Sequence, residues 1–169
     1  LAKIFPCKKL KTLDLVDRGN PDKIYVFAVS SQSLREKEVA QRMLDGFTEK
    51  ISENLETHKQ YVESLDPGCF ISGIAKYEKT TIGSTALGKL GIKSEDIGKE
   101  CAANLLSEIN SNCTVDSFTA DQLLIYMALA KQGKIISSKI TDHIQKNIGV
   151  IEKFLNVKFK IEGNEISVK

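Results

Sequence analysis

Two histidines, four cysteines and 22 aspartates and glutamates are the residues of this 169-residue chain best suited to chemistry, and their spacing narrows the choice. His143 ends the run Ser138-Lys139-Ile140-Thr141-Asp142-His143, just after a strand-like stretch and at the start of a helical pattern. A helix start presents unpaired N–H groups and partial positive charge, which favour a bound phosphate. The same field disfavours imidazolium, and a nucleophilic histidine must be neutral. The chemistry this points to is attack on phosphorus. A lone histidine in such a place is more often solvated or capping, and a short motif alone is weak evidence.

Asp121 and Gln122 open a second helical pattern, where charge at the N-terminal end is ordinarily a plain cap. Their other use is to face a ligand held over the helix start. Phe118 is a core residue by default, but its ring is also suited to stacking on a base. Cys7, Cys69, Cys101 and Cys113 form no CxxC pair, and with only two histidines they make no zinc site. They read as reduced, mostly buried thiols of an intracellular protein. The glycines from Gly83 to Gly91 fit neither phosphate-loop spacing and read as a strand end and turn. Lys8, Lys9 and Lys11 read as a solvated edge, and His58 falls in a strand without a partner legible in sequence.

The elements that must position these residues follow from periodicity. Residues 24–30 are β-branched and aromatic and predict a buried strand. Ser33-Leu34-Arg35-Glu36 has the form of a capping box, and Val39, Met43, Phe47 and Ile51 make one helical stripe. Strands are expected at 58–64, 69–77 and about 80–86, with Asp66-Pro67-Gly68 as a turn. Ser94 predicts a helix start, and Ile97, Cys101, Leu105 and Ile109 form its stripe. Residues 19–112 therefore read as an α+β unit of about four strands and two helices.

The texture changes after Asn112. Thr119-Ala120-Asp121-Gln122 matches a T-x-x-Q cap and precedes eight uncharged residues, Leu123 to Ala130. A helix apolar on every face requires cover on every face. A strand at 134–140, a helix at 144–155 and a hairpin around Gly163 complete a block too small to bury helix 120–130. The expectation is an exposed apolar surface beside that helix, or a partner covering it.

Bulk composition excludes several classes. Apolar content of 41% supports a packed core, and a net charge of +2 gives no global basic field. RNA binding would then need a local patch or another part of the protein. No apolar run approaches the ~20 residues that span a bilayer, so no membrane association is expected. Leu1 to Lys11 lacks the features of a signal peptide.

The stretches GSTALGKLGIKSEDIGKECAANLL, DQLLIYMALA and SKITDHIQKNIGVIEKFL, in that order, resemble the C-terminal half of the RNA 3'-terminal phosphate cyclases of archaeal type. LKTLDLVDRG and VAQRM resemble the entry into that family's small inserted domain. The resemblance implies an α+β fold. Residues 1–18 end one large-domain repeat, 19–113 form the inserted α/β domain, and 114–169 form the last βα-type repeat of the catalytic domain.

It further implies an ATP-dependent, ligase-like conversion of an RNA 3'-phosphate to a 2',3'-cyclic phosphate. His143 would carry AMP. Phe118, Thr119, Ala120, Asp121 and Gln122 match the nucleotide-contacting segment, with Phe118 in a place often held by tyrosine. ATP and a divalent metal, magnesium or manganese, are the implied cofactors. The implied partners are RNA with a 3'-phosphate end and an N-terminal half of the cyclase on the same or a separate chain. The implied location is cytoplasmic, and homo-oligomerisation stays open. Lys146 departs from the family, which often has threonine there. The alternative is a non-catalytic relative acting in ribosome biogenesis, against which His143 argues because the inactive branch lacks that histidine.

Overall fold

A computed structural model describes Lys3 and residues 10–168, with no account of the rest. The chain divides into two compact units, one of Arg18–Asn112 and one joining the segment that ends at Asp17 to Cys113 onward. The content is mixed α and β throughout.

The first unit holds strands β2 (Pro21–Ser31), β3 (Leu55–Val62), β4 (Cys69–Tyr77) and β5 (Thr81–Leu87), with helices α1 (Val39–Thr48) and α2 (Ser94–Asn110). Its sheet runs β3-β2-β4-β5; β3 is parallel to β2 and the other pairs are antiparallel. Val26, Ala28, Ile71, Ala75 and Ile82 point to one face, where Met43, Phe47, Ile97, Cys101 and Leu105 are buried with them. Alternation along the strands and a four-residue helical spacing thus meet in one core.

α1 and α2 approach until backbone touches backbone. A Cβ at Gly46 would stand 2.0 Å from the Glu95 carbonyl oxygen, and one at Gly98 would stand 2.0 Å from that of Met43. Arg42 clamps the same junction, its Nε 2.7 Å and Nη2 2.9 Å from the two Glu95 carboxylate oxygens. That fork-to-fork bond holds the Glu95 carboxyl well below its ordinary range, at about 2.

The second unit contains β1 (Leu13–Leu15), α3 (Ser117–Ala130), β6 (Gly133–Ile136), α4 (Asp142–Phe154), β7 (Phe159–Glu162) and β8 (Glu165–Val168). Its sheet order is β1-β6-β8-β7, with β1 parallel to β6. Val115, Ala120, Leu124, Met127, Ile135, Ile144 and Ile166 form its core. Glu152 ties α4 to β7, accepting from Lys158 Nζ at 2.7 Å and from the Phe159 N–H at 2.8 Å; the Lys158 bond is the main reason its carboxyl lies below the usual range.

Several expectations are corrected. Ser33 caps no long helix: Gln32–Leu34 make one 3-10 turn, and α1 begins only at Val39, after Glu38 in the left-handed region at φ 51°. The strand expected at 134–140 ends at Ile136, and the segment before Thr141 is irregular. His58 does have partners, stacking on Phe27 at 4.8 Å and lying 3.2 Å from Glu56. Cys101 and Cys113 are buried and Cys69 is half-buried, while Cys7, Lys8 and Lys9 lie outside the described residues. Among the described residues no helix is long and apolar enough to cross a membrane.

Candidate active site

The site begins with a pair of extended backbones. Thr114 donates its N–H to the Ile136 carbonyl at 2.8 Å, its hydroxyl accepts from the Ile136 N–H at 3.0 Å, and it donates to the Leu15 carbonyl at 2.7 Å. Val115 and Ser137 then form a parallel bridge. Both chains leave this bridge in the same direction, so the two helices that follow start side by side.

Asp116 caps α3. Its carboxylate accepts from the Thr119 N–H at 2.8 Å and from the Thr119 hydroxyl at 2.9 Å. The expected T-x-x-Q cap is therefore replaced: α3 starts at Ser117, and Thr119, Ala120, Asp121 and Gln122 all lie within it. An aspartate outranks a threonine at this position because it brings full charge to the positive end of the dipole. The earlier start places Ser117, Phe118 and Asp121 on one side of the first turns, by three- and four-residue spacing.

Thr141 caps α4, its hydroxyl accepting from the Ile144 N–H at 3.2 Å. His143 is the second residue of that helix and is exposed, while Ile144 beside it is fully buried and anchors the turn. Before the cap, Ser137 donates its hydroxyl to the Lys139 carbonyl at 2.8 Å, and Asn164 donates to the Ser138 carbonyl at 3.0 Å. These bonds shape the loop that presents Lys139.

Ser117, Phe118, Asp121, Lys139, Thr141 and His143 line one cleft of about 370 Å³. Of the residues singled out in sequence, Phe118, Asp121 and His143 come together here. Thr119 is committed to Asp116, Ala120 is buried in the core, and Gln122 is exposed away from the lining set. Phe118 is 78% exposed, which is unusual for a phenylalanine held on a first helical turn. Lys139 and Thr141 were not singled out; the signal for them was their spacing four and two residues before His143. Asn147, one turn after His143 on α4, donates its amide to Asp121 at 2.7 Å and links the two helices.

The cleft offers an exposed aromatic ring, a carboxylate, a lysine, an imidazole and the unpaired N–H groups of a helix start. Such a set suits a ligand with a flat base at one end and phosphate at the other. Among the described residues no group of three or more metal-ligating side chains occurs. Asp121 is the one carboxylate lining the cleft, so a divalent ion there would take most of its ligands from bound phosphates.

Residues 16–110 match the sequence profile of the RNA 3'-terminal phosphate cyclase (RTC) insert domain. The chain belongs to the RNA 3'-terminal phosphate cyclase family. It is 31% identical over 166 residues to the protein of that name from Pyrobaculum neutrophilum, covering 93% of this chain and 46% of the relative. It is 36% identical over 129 residues to that of Thermococcus onnurineus, covering 74% and 38%, and 37% identical over 109 residues to that of Pyrococcus furiosus, covering 64% and 32%. The chain thus spans less than half the length of these relatives.

Proposed function

We propose that this chain carries the nucleotidyl-transfer centre of an ATP-dependent RNA 3'-terminal phosphate cyclase, with His143 as the residue that accepts AMP. The observation that carries the reading is the convergence of Phe118, Asp121, Lys139 and His143 on one cleft formed by two adjacent helix starts. Adenine stacks on Phe118. The phosphates lie over the start of α4, where free N–H groups and Lys139 offset their charge. Asp121 contacts the nucleotide. A divalent ion, magnesium or manganese, would be held chiefly by the triphosphate and would neutralise part of its charge.

The imidazole nitrogen of His143 attacks the α-phosphorus, the bond to the β-phosphate oxygen breaks, and pyrophosphate leaves. A phosphoramidate results. An oxygen of the RNA 3'-phosphate then takes the adenylyl group and frees the histidine. The neighbouring 2'-hydroxyl loses its proton, attacks the 3'-phosphorus and expels AMP, closing the five-membered ring. The intermediate is needed because a phosphate monoester has no good leaving group, whereas AMP is one.

The remaining part of the site comes from polypeptide corresponding to the other half of the relatives. Exposed apolar residues along α3 support this: Ile125 is 41%, Tyr126 55% and Leu129 52% exposed. The predicted setting is the cytoplasm.

The reading is tested with RNA carrying a labelled 3'-terminal phosphate, incubated with the intact protein, ATP and magnesium. A terminal label that becomes resistant to phosphatase supports cyclisation. A label that stays phosphatase-sensitive under all metal conditions, with the RNA still bound, instead favours the non-catalytic, ribosome-assembly branch.

A further inference from the structure

Asn147 is exposed on α4, and its side-chain amide reaches across to the other helix. It stands four residues after His143, on the same face of the helix, and its Nδ2 lies 2.7 Å from Asp121 Oδ1. Asp121 in turn lines the cleft beside Phe118 and His143. The amide is therefore a bridge from the helix of the histidine to the carboxylate on the opposite wall.

We infer that Asn147 is a positioning residue for nucleotide binding: it holds Asp121 Oδ1 so that the second carboxylate oxygen is presented to the cleft. The inference rests on the nucleotide-site reading above and adds a residue to it. The choice of partner matters chemically. A lysine or arginine at this place would pin the carboxylate but also cancel its charge. A neutral amide donates one hydrogen bond, fixes the rotamer and leaves the full negative charge for a donor on the ligand. The same bond fixes the distance between the two helix starts at the level just below the histidine, so the ligand meets a preformed wall.

A positioning role and a merely structural one separate in kinetics. Through Asp121, loss of the amide weakens ATP binding without slowing the chemistry on His143. Asn147→Ala should raise the KM for ATP about tenfold, the size of one hydrogen bond to a charged acceptor, with kcat within twofold of wild type. Asn147→Asp keeps the shape but sets two carboxylates against each other, and should raise KM further. In an Asp121→Ala background, Asn147→Ala should have no additional effect on KM, because its target is gone.

The experiment is this cycle of single and double variants in the intact protein, with KM for ATP, kcat for cyclisation and the thermal midpoint measured on each. A KM rise in both single variants that does not accumulate in the double variant supports the inference. A KM rise for Asp121→Ala alone, or effects that add in the double variant, overturns the role of Asn147 and leaves the site reading intact. Unchanged KM in both single variants overturns the role of Asn147 and of Asp121 together.

Discussion

Phe118, on the first turn of α3, and His143, on the first turn of α4, line the same cleft although they belong to different segments of the unit. The Val115–Ser137 bridge brings them there by setting the two helix starts next to each other. A ring on one wall and an imidazole on the other give a ligand two fixed ends.

The ring is the first point to test. Phe118→Ala should weaken ATP binding by ~1–3 kcal/mol, the range for stacking of a base on an aromatic side chain. Because Phe118 is 78% exposed, the fold should lose little, and Phe118→Tyr should bind nearly as wild type. Isothermal titration of the intact protein with ATP measures both. Equal affinity for wild type and Phe118→Ala would remove the ring from the site.

Glycine pairs test the packing of the first unit. In isolation, glycine to alanine inside a helix gains roughly 0.5–1 kcal/mol. At Gly98 the new Cβ would stand 2.0 Å from the Met43 carbonyl oxygen, so α1 and α2 must move apart. Gly98→Ala should therefore destabilise by about 1–3 kcal/mol, the usual cost of overpacking. Gly149, on α4, has open space around its Cβ position, and Gly149→Ala should stabilise. Urea midpoints of the two variants should move in opposite directions; a midpoint that rises with Gly98→Ala would contradict the close α1–α2 contact.

The Arg42–Glu95 clamp makes a prediction about pH. Arg42 holds the Glu95 carboxyl at about 2, below its ordinary value of 4.5. A lowered acid contributes stability above its unfolded value, and that contribution is lost as pH falls through the interval down to the folded value. The pair is partly solvated, so its worth at neutral pH is roughly 0.5–1 kcal/mol. Arg42→Ala should move Glu95 up toward the ordinary carboxylate range in a carboxyl-carbon NMR titration, and a backbone hydrogen bond should still hold it somewhat low. The stability gap between wild type and variant should narrow as pH drops from about 5 toward 2. A gap that widens on acidification would show that the pair is not the source.

Much of this was legible in the sequence because periodicity survives in both units. Val39, Met43 and Phe47 do line the core, and so do Ile97, Cys101 and Leu105. The start of α1 was not legible: Ser33 and Glu36 have the spacing of a cap, but β2 runs on to Ser31, and the chain needs a 3-10 turn and a left-handed Glu38 before Val39 can face the sheet. The α3 cap was misplaced because two candidates compete within four residues and Asp116 supplies the stronger acceptor. The uncharged run from Leu123 to Ala130 read as a helix requiring cover on all sides; Leu124, Met127 and Ala128 have it, whereas Ile125, Tyr126 and Leu129 are exposed. For the site, sequence pointed to His143, Asp121 and Phe118 separately. Their meeting depends on the Thr114–Ile136 and Val115–Ser137 pairings, which join residues about twenty apart and leave no periodic trace. Lys139, Thr141 and Asn147 have unremarkable identities, and geometry alone singles them out.

The central claim is that His143 carries AMP, and one measurement addresses it directly. The intact protein is incubated with magnesium or manganese and ATP labelled at the α-phosphate, then denatured and examined for bound label. His143→Asn keeps a polar side chain at the helix start but has no imidazole nitrogen to adenylylate. Since His143 is exposed, the variant should keep its thermal midpoint and its ATP affinity. The account predicts label on wild type that is lost in acid and retained in alkali, as a phosphoramidate requires, and neither label nor cyclised RNA with His143→Asn. A variant that still labels and cyclises at the wild-type rate would contradict it.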